Sequence, residues 1–378
     1  MAEVWVRAAV PERAIRQGRI DRLKSLLTVE KLLQNRDAYC VVDVRSPEEF
    51  FEARIPGAVN LPLFEDEERV KLGAAYWQEG AEQAKMLGLS LAAPRLPQLV
   101  EKILSCAAGR EIVLYCWRGG MRSSSLLSVM EAMGYPVWQL QGGYKAFRRQ
   151  VVSYLSSTKI QVPVFVLNGL TGVGKTLLLR ELANCGAPVL NLEEMANHRG
   201  SAFGAIGLGA SRSQKDFESL LFLALHDLHG APYLLVEGEG KKIGPVVLPD
   251  FLYQAMLEGP HLLLEAGIDL RVERILEEYA GMSANRQALA DAILALQKKL
   301  GREKCELLAA KISQGDYRSV ARTLCTDYYD LYYRDSRKKK GDYLAVINLS
   351  DIGSGVQSVL TCCQEKVLQD LGSNEAGQ

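Results

Sequence analysis

The apolar positions of the first 150 residues fall into short runs separated by stretches at helical spacing. Tyr39-Cys-Val-Val-Asp-Val44 is a β-rich run that stops at Arg45-Ser46-Pro47, and residues 110–116 (REIVLYC) form a second run of buried-strand character. Ser46-Pro47-Glu48-Glu49 has the spacing of a capped helix start, a serine three residues ahead of an acid. Ser123 to Met133 is apolar at helical spacing, and Val137 to Leu140 reads as a third strand closed by Gly142-Gly143. Residues 147–162 read as a helix and a polar joint, which places a domain boundary near 150 and gives domains 1–150 and 151–378. Strands are then predicted at Pro163–Leu167, Pro188–Leu192, Tyr233–Val236 and His261–Leu264, with a mostly apolar helix at Asp216–Leu228. From about 270 to 333 the pattern is helical and strongly charged. A strand (Tyr343–Asn348) and a helix follow, and Gly372–Gln378 is expected to be a frayed polar tail. Alternating strand and helix predict an α/β fold, with parallel sheets covered by helices.

Composition narrows the classes. The chain has 378 residues, 48% of them hydrophobic, enough for real cores in two or three domains. Lys+Arg and Asp+Glu both number 45, so no global basic field exists and any nucleic-acid contact must come from a local patch. No apolar run reaches the ~18 residues of a membrane span. The first twenty residues are broken by charge and proline and lack a secretory signal's apolar core. The eight cysteines contain no C-x-x-C pair, which argues against a disulfide framework or a zinc ribbon. The expectation is a soluble cytoplasmic protein with reduced thiols and no membrane partner.

Gly169-Leu-Thr-Gly172-Val-Gly174-Lys175-Thr176 fits G-x-x-x-x-G-K-[ST] in full, after a predicted strand and before a predicted helix. The glycines let successive N–H groups turn toward phosphate oxygens, the helix N-terminus adds positive potential, Lys175 neutralises terminal phosphates and Thr176 can ligate Mg²⁺. The loop specifies phosphates and leaves the rest of the ligand open. Glu237-Gly-Glu239 ends an apolar strand, where folds of this kind place a carboxylate that orients Mg²⁺ or water. His198, in the polar loop Asn197-His-Arg-Gly-Ser201, is a further candidate for ligand contact.

A second constellation is Cys116-Trp-Arg118-Gly119-Gly120-Met-Arg122-Ser123, between an apolar strand and an apolar helix. A thiol at a helix N-terminus, in a loop whose amides point inward, is favoured as thiolate and can hold an anion above it. Arg118 and Arg122 add fixed positive charge able to grip a tetrahedral oxyanion. A lone apolar-flanked cysteine is most often structural, as Cys40 and Cys106 are expected to be; the glycines and arginines around Cys116 reverse that reading.

The N-terminal half resembles a rhodanese domain through Asp43-Val-Arg45-Ser-Pro-Glu-Glu-Phe50, Ile55-Pro-Gly-Ala-Val-Asn60, the cysteine loop and Leu140-Gln-Gly-Gly143. It departs in having Arg54 where most rhodaneses have histidine, and a Cys-x5-Arg loop one residue longer than that of sulfur-transferring members, a width suited to a tetrahedral phosphate-like group. A rhodanese-like domain followed by a P-loop NTPase-like α/β domain with a helical C-terminal portion resembles the tRNA 2-selenouridine synthase family. Asn197-His-Arg-Gly-Ser-Ala-Phe-Gly204, Ser213-Gln-Lys-Asp-Phe217 and Val236-Glu-Gly-Glu-Gly-Lys-Lys-Ile-Gly244 extend the match over about residues 40 to 245.

The resemblance implies a two-step change at the wobble uridine of tRNAs for Lys, Glu and Gln. The sulfur of 2-thiouridine is first alkylated by geranyl diphosphate. Selenium from selenophosphate, supplied by a selenophosphate-producing enzyme, then replaces the geranylated sulfur through a perselenide on Cys116, and phosphate is released into the loop of Arg118, Gly119, Gly120 and Arg122. The P-loop residues Gly169, Gly172, Gly174, Lys175 and Thr176 then grip diphosphate. Two other readings stay open: an ATP-dependent rhodanese-type tRNA sulfurtransferase, and a nucleotide-gated RNA-binding module. For tRNA the candidate patch is Arg337, Lys338, Lys339 and Lys340 beside Tyr328, Tyr329, Tyr332 and Tyr333, basic side chains meeting phosphates and an aromatic stacking on a base.

Overall fold

In the computed structural model, which describes residues 25–200, 203–204, 206–279, 286–331 and 342–375, the apolar runs become parallel strands. The chain divides into two compact units, residues 1–150 and 151–378, with the boundary inside the helix Gly143–Ser157. In the first unit, β1 (Leu26–Leu27), β2 (Tyr39–Asp43), β3 (Val59–Asn60), β4 (Glu111–Tyr115) and β5 (Val137–Leu140) pair in the order β1-β5-β4-β2-β3, all parallel. Val42, Val113 and Leu114 are fully buried, as expected of strands covered on both faces. Ser46 and Glu49 close a capping box on the helix Pro47–Glu52.

The motifs around the cysteine loop are mutual supports. Arg45 is buried, ion-paired to Asp43 at 2.6 Å, bonded to the Ala53 carbonyl at 2.7 Å and placed over the Tyr144 ring at 4.4 Å. Asn60 donates to the carbonyls of Asp43 and Arg45, both at 3.0 Å. Arg54 lies over the Phe50 ring at 4.8 Å. The amides of Tyr144 and Lys145 donate to the carbonyls of Cys116 and Trp117, both at 2.9 Å.

In the second unit, β6 (Val164–Gly169), β7 (Val189–Leu190), β8 (Leu234–Glu237), β11 (His261–Glu265) and β12 (Ala345–Asn348) form a parallel sheet ordered β12-β11-β6-β8-β7. A small antiparallel hairpin joins β9 (Lys242–Ile243) to β10 (Val246–Val247). Chain order departs from sheet order on both sides of β6, so the crevice at the carboxyl ends of the strands opens beside the loop that leaves β6. The charged stretch after 268 forms the helices Ile268–Tyr279, Arg286–Leu294, Gln297–Leu300, Arg302–Ser313 and Tyr317–Leu324 and a π turn at Cys325–Tyr329. These close over a core of their own that includes Leu289, Ile293, Leu308, Ile312, Val320 and Leu324.

The expected frayed tail is corrected for Gly372 to Glu375, which are helical, while residues 376–378 lie outside the described residues. The last helix runs from Ile352 to Glu375, through Gly372, because Val356, Val359 and Cys363 anchor it on the sheet and the helix continues past its buried stretch. Among the described residues no helix is long and apolar enough to cross a membrane.

Gly143 has φ +58°, and a Cβ there would strike the Cys116 carbonyl oxygen. Gly143→Ala should therefore destabilise the protein by about 2 kcal/mol or more. Thermal unfolding checks the loss, and faster alkylation of Cys116 in the variant would show the loop released.

Candidate active site

The phosphate loop leaves β6 at Gly169 and enters the helix Lys175–Asn184. Gly172 and Gly174 take φ +76° and +101°, a region that side chains disfavour. Carbonyls of the loop need partners of their own, and two arginines of the helix Ile268–Tyr279 meet them. Arg271 Nε donates to the Thr171 carbonyl at 2.9 Å, and Arg274 donates to the carbonyls of Val173 and Leu349. Arg271, 3% exposed, is also paired through both terminal nitrogens with Asp330, at 3.0 and 2.7 Å.

Three carboxylates surround the start of the loop's helix. The Thr176 hydroxyl donates to Glu193 Oε2 at 3.3 Å, and the Glu193 amide donates to Glu237 Oε1 at 2.6 Å. Burial pushes Glu237 up to about 8, and Glu193 and Glu239 add to that rise by their negative charge. Burial and then Glu193 push Glu239 up to about 8, against the opposing pull of Lys175. Glu193 itself is raised, first by burial. Gly200 is the residue that fits here, since a Cβ would collide with Glu239 Oε2. The His198 ring lies against Gly244 and accepts from the Gly200 amide at 3.1 Å; burial, with Arg199 beside it, pushes its pKa down.

A cavity of about 640 Å³ opens on this cluster. Its polar end is lined by Thr171 to Thr176, Arg180, Glu193, His198, Arg199, Glu239 and Arg274. The apolar part of its lining, Phe203, Leu289, Ile293, Ile312, Val320, Leu324 and Tyr329, belongs to one buried cluster, and Ile275 lies beside Gly172 of the loop. One cavity thus joins a phosphate grip to a hydrocarbon-lined recess, within the size range of small-ligand sites.

In the first unit, Cys116 ends the run of β4, and the helix Met121–Ala132 follows the loop. Its Sγ accepts from the Gly120 amide and from the Ser123 hydroxyl, both at 3.2 Å. Gln139 Nε2 donates to Ser123 Oγ at 2.7 Å. Gly119 has φ +63°, and a Cβ there would meet the Leu140 carbonyl oxygen at 2.9 Å. Arg122 is held by Glu49 at 2.5 and 3.3 Å, whereas Arg118 is exposed and has no ion-pair partner among the described residues. Arg122 holds Glu49 below the usual carboxylate range, by hydrogen bond and charge together, against the opposing effect of burial.

A family model described as "tRNA 2-selenouridine synthase AAA domain" matches residues 162–351, and one described as "Rhodanese-like domain" matches residues 28–150. The tRNA 2-selenouridine synthase of Shewanella pealeana is 35% identical, covering 80% of this chain and 90% of its own. Those of Shewanella oneidensis and Cupriavidus necator are 33% and 34% identical, each covering 79% of this chain and 86% and 89% of their own. The chain belongs to the tRNA 2-selenouridine synthase family. The resemblance read from the motifs of both halves is thus the one the comparisons show.

The structure gathers the two sets of candidates unevenly. Gly172, Gly174, Lys175, Thr176 and His198 line the cavity; Glu237 lies behind it, and Glu239 is the strand-end acid that reaches the lining. Among the described residues no group of three or more His, Cys, Asp or Glu side chains is arranged to hold a metal ion. None of the eight cysteines is in a disulfide. Tyr328 and Tyr329 meet edge to face with centroids 4.9 Å apart, and Tyr329 is buried in the cavity wall, so it does not present a face to RNA. Arg337, Lys338, Lys339 and Lys340, with Tyr332 and Tyr333, lie outside the described residues. Sequence reasoning missed Glu193, Arg271, Arg274 and Gln139. Arg271 and Arg274 did carry a signal, a three-residue spacing that puts both on one helix face.

Glu237 keeps its proton to about 8 when folded, far above an unfolded glutamate. Between those two values the unfolded state binds fewer protons, so stability must fall as pH rises from about 4.5 toward 8. Glu237→Gln keeps the acceptor for the Glu193 amide and removes the titration. At pH 8 the variant should be more stable than the parent by at least about 1 kcal/mol, and equal to it near pH 4.5. Denaturant melts across pH check this; parallel curves would contradict it.

Proposed function

We propose that this protein converts 2-thiouridine to 2-selenouridine at the wobble position of tRNA, by S-geranylation followed by replacement of the geranylated sulfur with selenium from selenophosphate. The observation that carries the first step is the cavity in which a phosphate loop faces an apolar recess. That shape suits geranyl diphosphate, whose two ends have these two characters. An ATP-using reading would leave the hydrocarbon-lined half without a purpose.

The chemistry follows from the residues. A thione sulfur is a poor leaving group, and alkylation turns it into one that can depart. The N-terminus of the helix Lys175–Asn184 and the Lys175 ammonium stabilise the charge that develops on the departing diphosphate. Thr176 and Glu193 present hard oxygens that would hold a Mg²⁺ ion, which would supply further charge neutralisation there. Their protonated neighbours keep the cavity from repelling an anion. Cys116, with its two hydrogen-bond donors, serves the selenium step.

The direct test is mass analysis of tRNA from cells lacking and then regaining the gene; 2-selenouridine should vanish and return. Lys175→Ala should slow geranylation by ~10²-fold or more, while a tRNA supplied already geranylated is still selenated. Cys116→Ser should show the opposite pattern, with geranylated 2-thiouridine accumulating. Geranyl diphosphate should raise the melting temperature of the protein more than ATP does at equal concentration. A larger shift with ATP would favour the sulfurtransferase reading.

A further inference from the structure

With selenophosphate as the donor, which rests on the proposed function, the chemistry at Cys116 turns on which atom of that donor the sulfur attacks. Selenium in selenophosphate is at the selenide level and phosphorus at the phosphate level. A thiolate that took the selenium as a perselenide would bond two atoms that both start fully reduced, an oxidation by two electrons. With phosphate as the other product, those electrons have no acceptor. Attack at phosphorus needs none.

We propose that Cys116 is a phosphoryl acceptor: its thiolate takes the phosphoryl group of selenophosphate as S-phosphocysteine and liberates hydrogen selenide beside the geranylated base. The S–P bond forms as the P–Se bond breaks, and the P–Se electron pair leaves on selenium, which takes up one proton. Hydrogen selenide anion adds to the carbon bearing the geranylated sulfur and expels geranyl thiolate, and its proton passes to the adjacent ring nitrogen N3, leaving C=Se. Water then cleaves the S–P bond; phosphate departs, and the electron pair returns to Sγ as thiolate. No net oxidation occurs.

The geometry at Sγ fits a sulfur that must be nucleophile first and leaving group second. Both roles need hydrogen-bond donors on a thiolate, and two are present, the Gly120 amide and the Ser123 hydroxyl, each at 3.2 Å. Ser123 is fully buried and accepts from Gln139 at 2.7 Å, which occupies a lone pair and leaves its hydrogen for Sγ or for the Gly120 carbonyl at 3.3 Å. Gln139, 6% exposed, is therefore a positioning residue acting through Ser123. A Cβ built at Gly120 would meet nothing within 4 Å, so the loop has room there. Exposed Arg118 supplies a cation that no carboxylate among the described residues neutralises. Five residues separate Cys116 from Arg122, the wider loop that a tetrahedral group requires.

The test uses the full-length protein with selenophosphate radiolabelled on phosphorus, stopped in alkaline detergent and digested. The Cys116 peptide should carry label and the mass of a phosphoryl group, and Cys116→Ser should carry none. Ser123→Ala should still be labelled but lose the label roughly 10-fold more slowly, because the departing thiolate lacks its donor. Gln139→Met should shift the same rate in the same direction by less, and add nothing in the double variant. A purely structural role for either residue would lower the melting temperature and leave the decay of the label unchanged, and that result would remove Ser123 and Gln139 from the proposal. Should these variants fail to fold, the parent protein decides alone. Selenium without phosphorus on Cys116, or 2-selenouridine formed while Cys116 carries neither, overturns the phosphoryl acceptor. If geranylated tRNA and selenophosphate give no 2-selenouridine at all, the functional reading falls, and the proposal with it.

Discussion

A loop that turns its amides toward a phosphate must do something with its carbonyls, and in this protein a buried arginine takes on that constraint. Arg271 bonds the Thr171 carbonyl and is paired with Asp330 through both terminal nitrogens. Asp330 directly follows the π turn that carries Cys325 and Tyr329 to the cavity wall. One guanidinium thus fixes the phosphate end of the cavity relative to its apolar end. Burying that charge is tolerable only because its donors are met, and removal of Asp330 would leave it uncompensated.

The electrostatics of the same cavity show how an acidic cluster and an anion site can coexist. Glu193, Glu237 and Glu239 would oppose a diphosphate if all three were ionised. Burial raises all three, and the charge of Glu193 adds to the rise of Glu237 and Glu239 to about 8, so protons on those two keep the cluster quiet at neutral pH. Lys175, Arg199 and Arg274 are then cations of the cavity lining, with Arg180 exposed on the rim.

In the first unit the loop that carries Cys116 is held by its surroundings rather than by its own segment. The Cys116 loop is closed from outside by Gly142-Gly143 and by the amides of Tyr144 and Lys145, and any side chain at 143 would strike it. Asp43, Arg45 and Asn60 lock the neighbouring turn. Several residues that make the rhodanese resemblance recognisable are therefore buttresses around the Cys116 loop.

The strands, the phosphate loop and the cysteine loop were legible from sequence because each is written in consecutive residues: an apolar run, a glycine spacing, a cap. Domain type followed from the same local signals, and the start of the tail, residues 372–375, was misread because a glycine near a helix end says nothing about what the rest of that helix packs against. Glu193 replacing the strand-end acid as partner of Thr176, Arg271 reaching a carbonyl one hundred residues away, and Gln139 orienting Ser123 left no such trace. Nor did the apolar recess, whose lining comes from Phe203 and from several helices between residues 268 and 329. Periodicity reports which face of an element is buried, and the identity of the partner across that face is set only when distant segments pack.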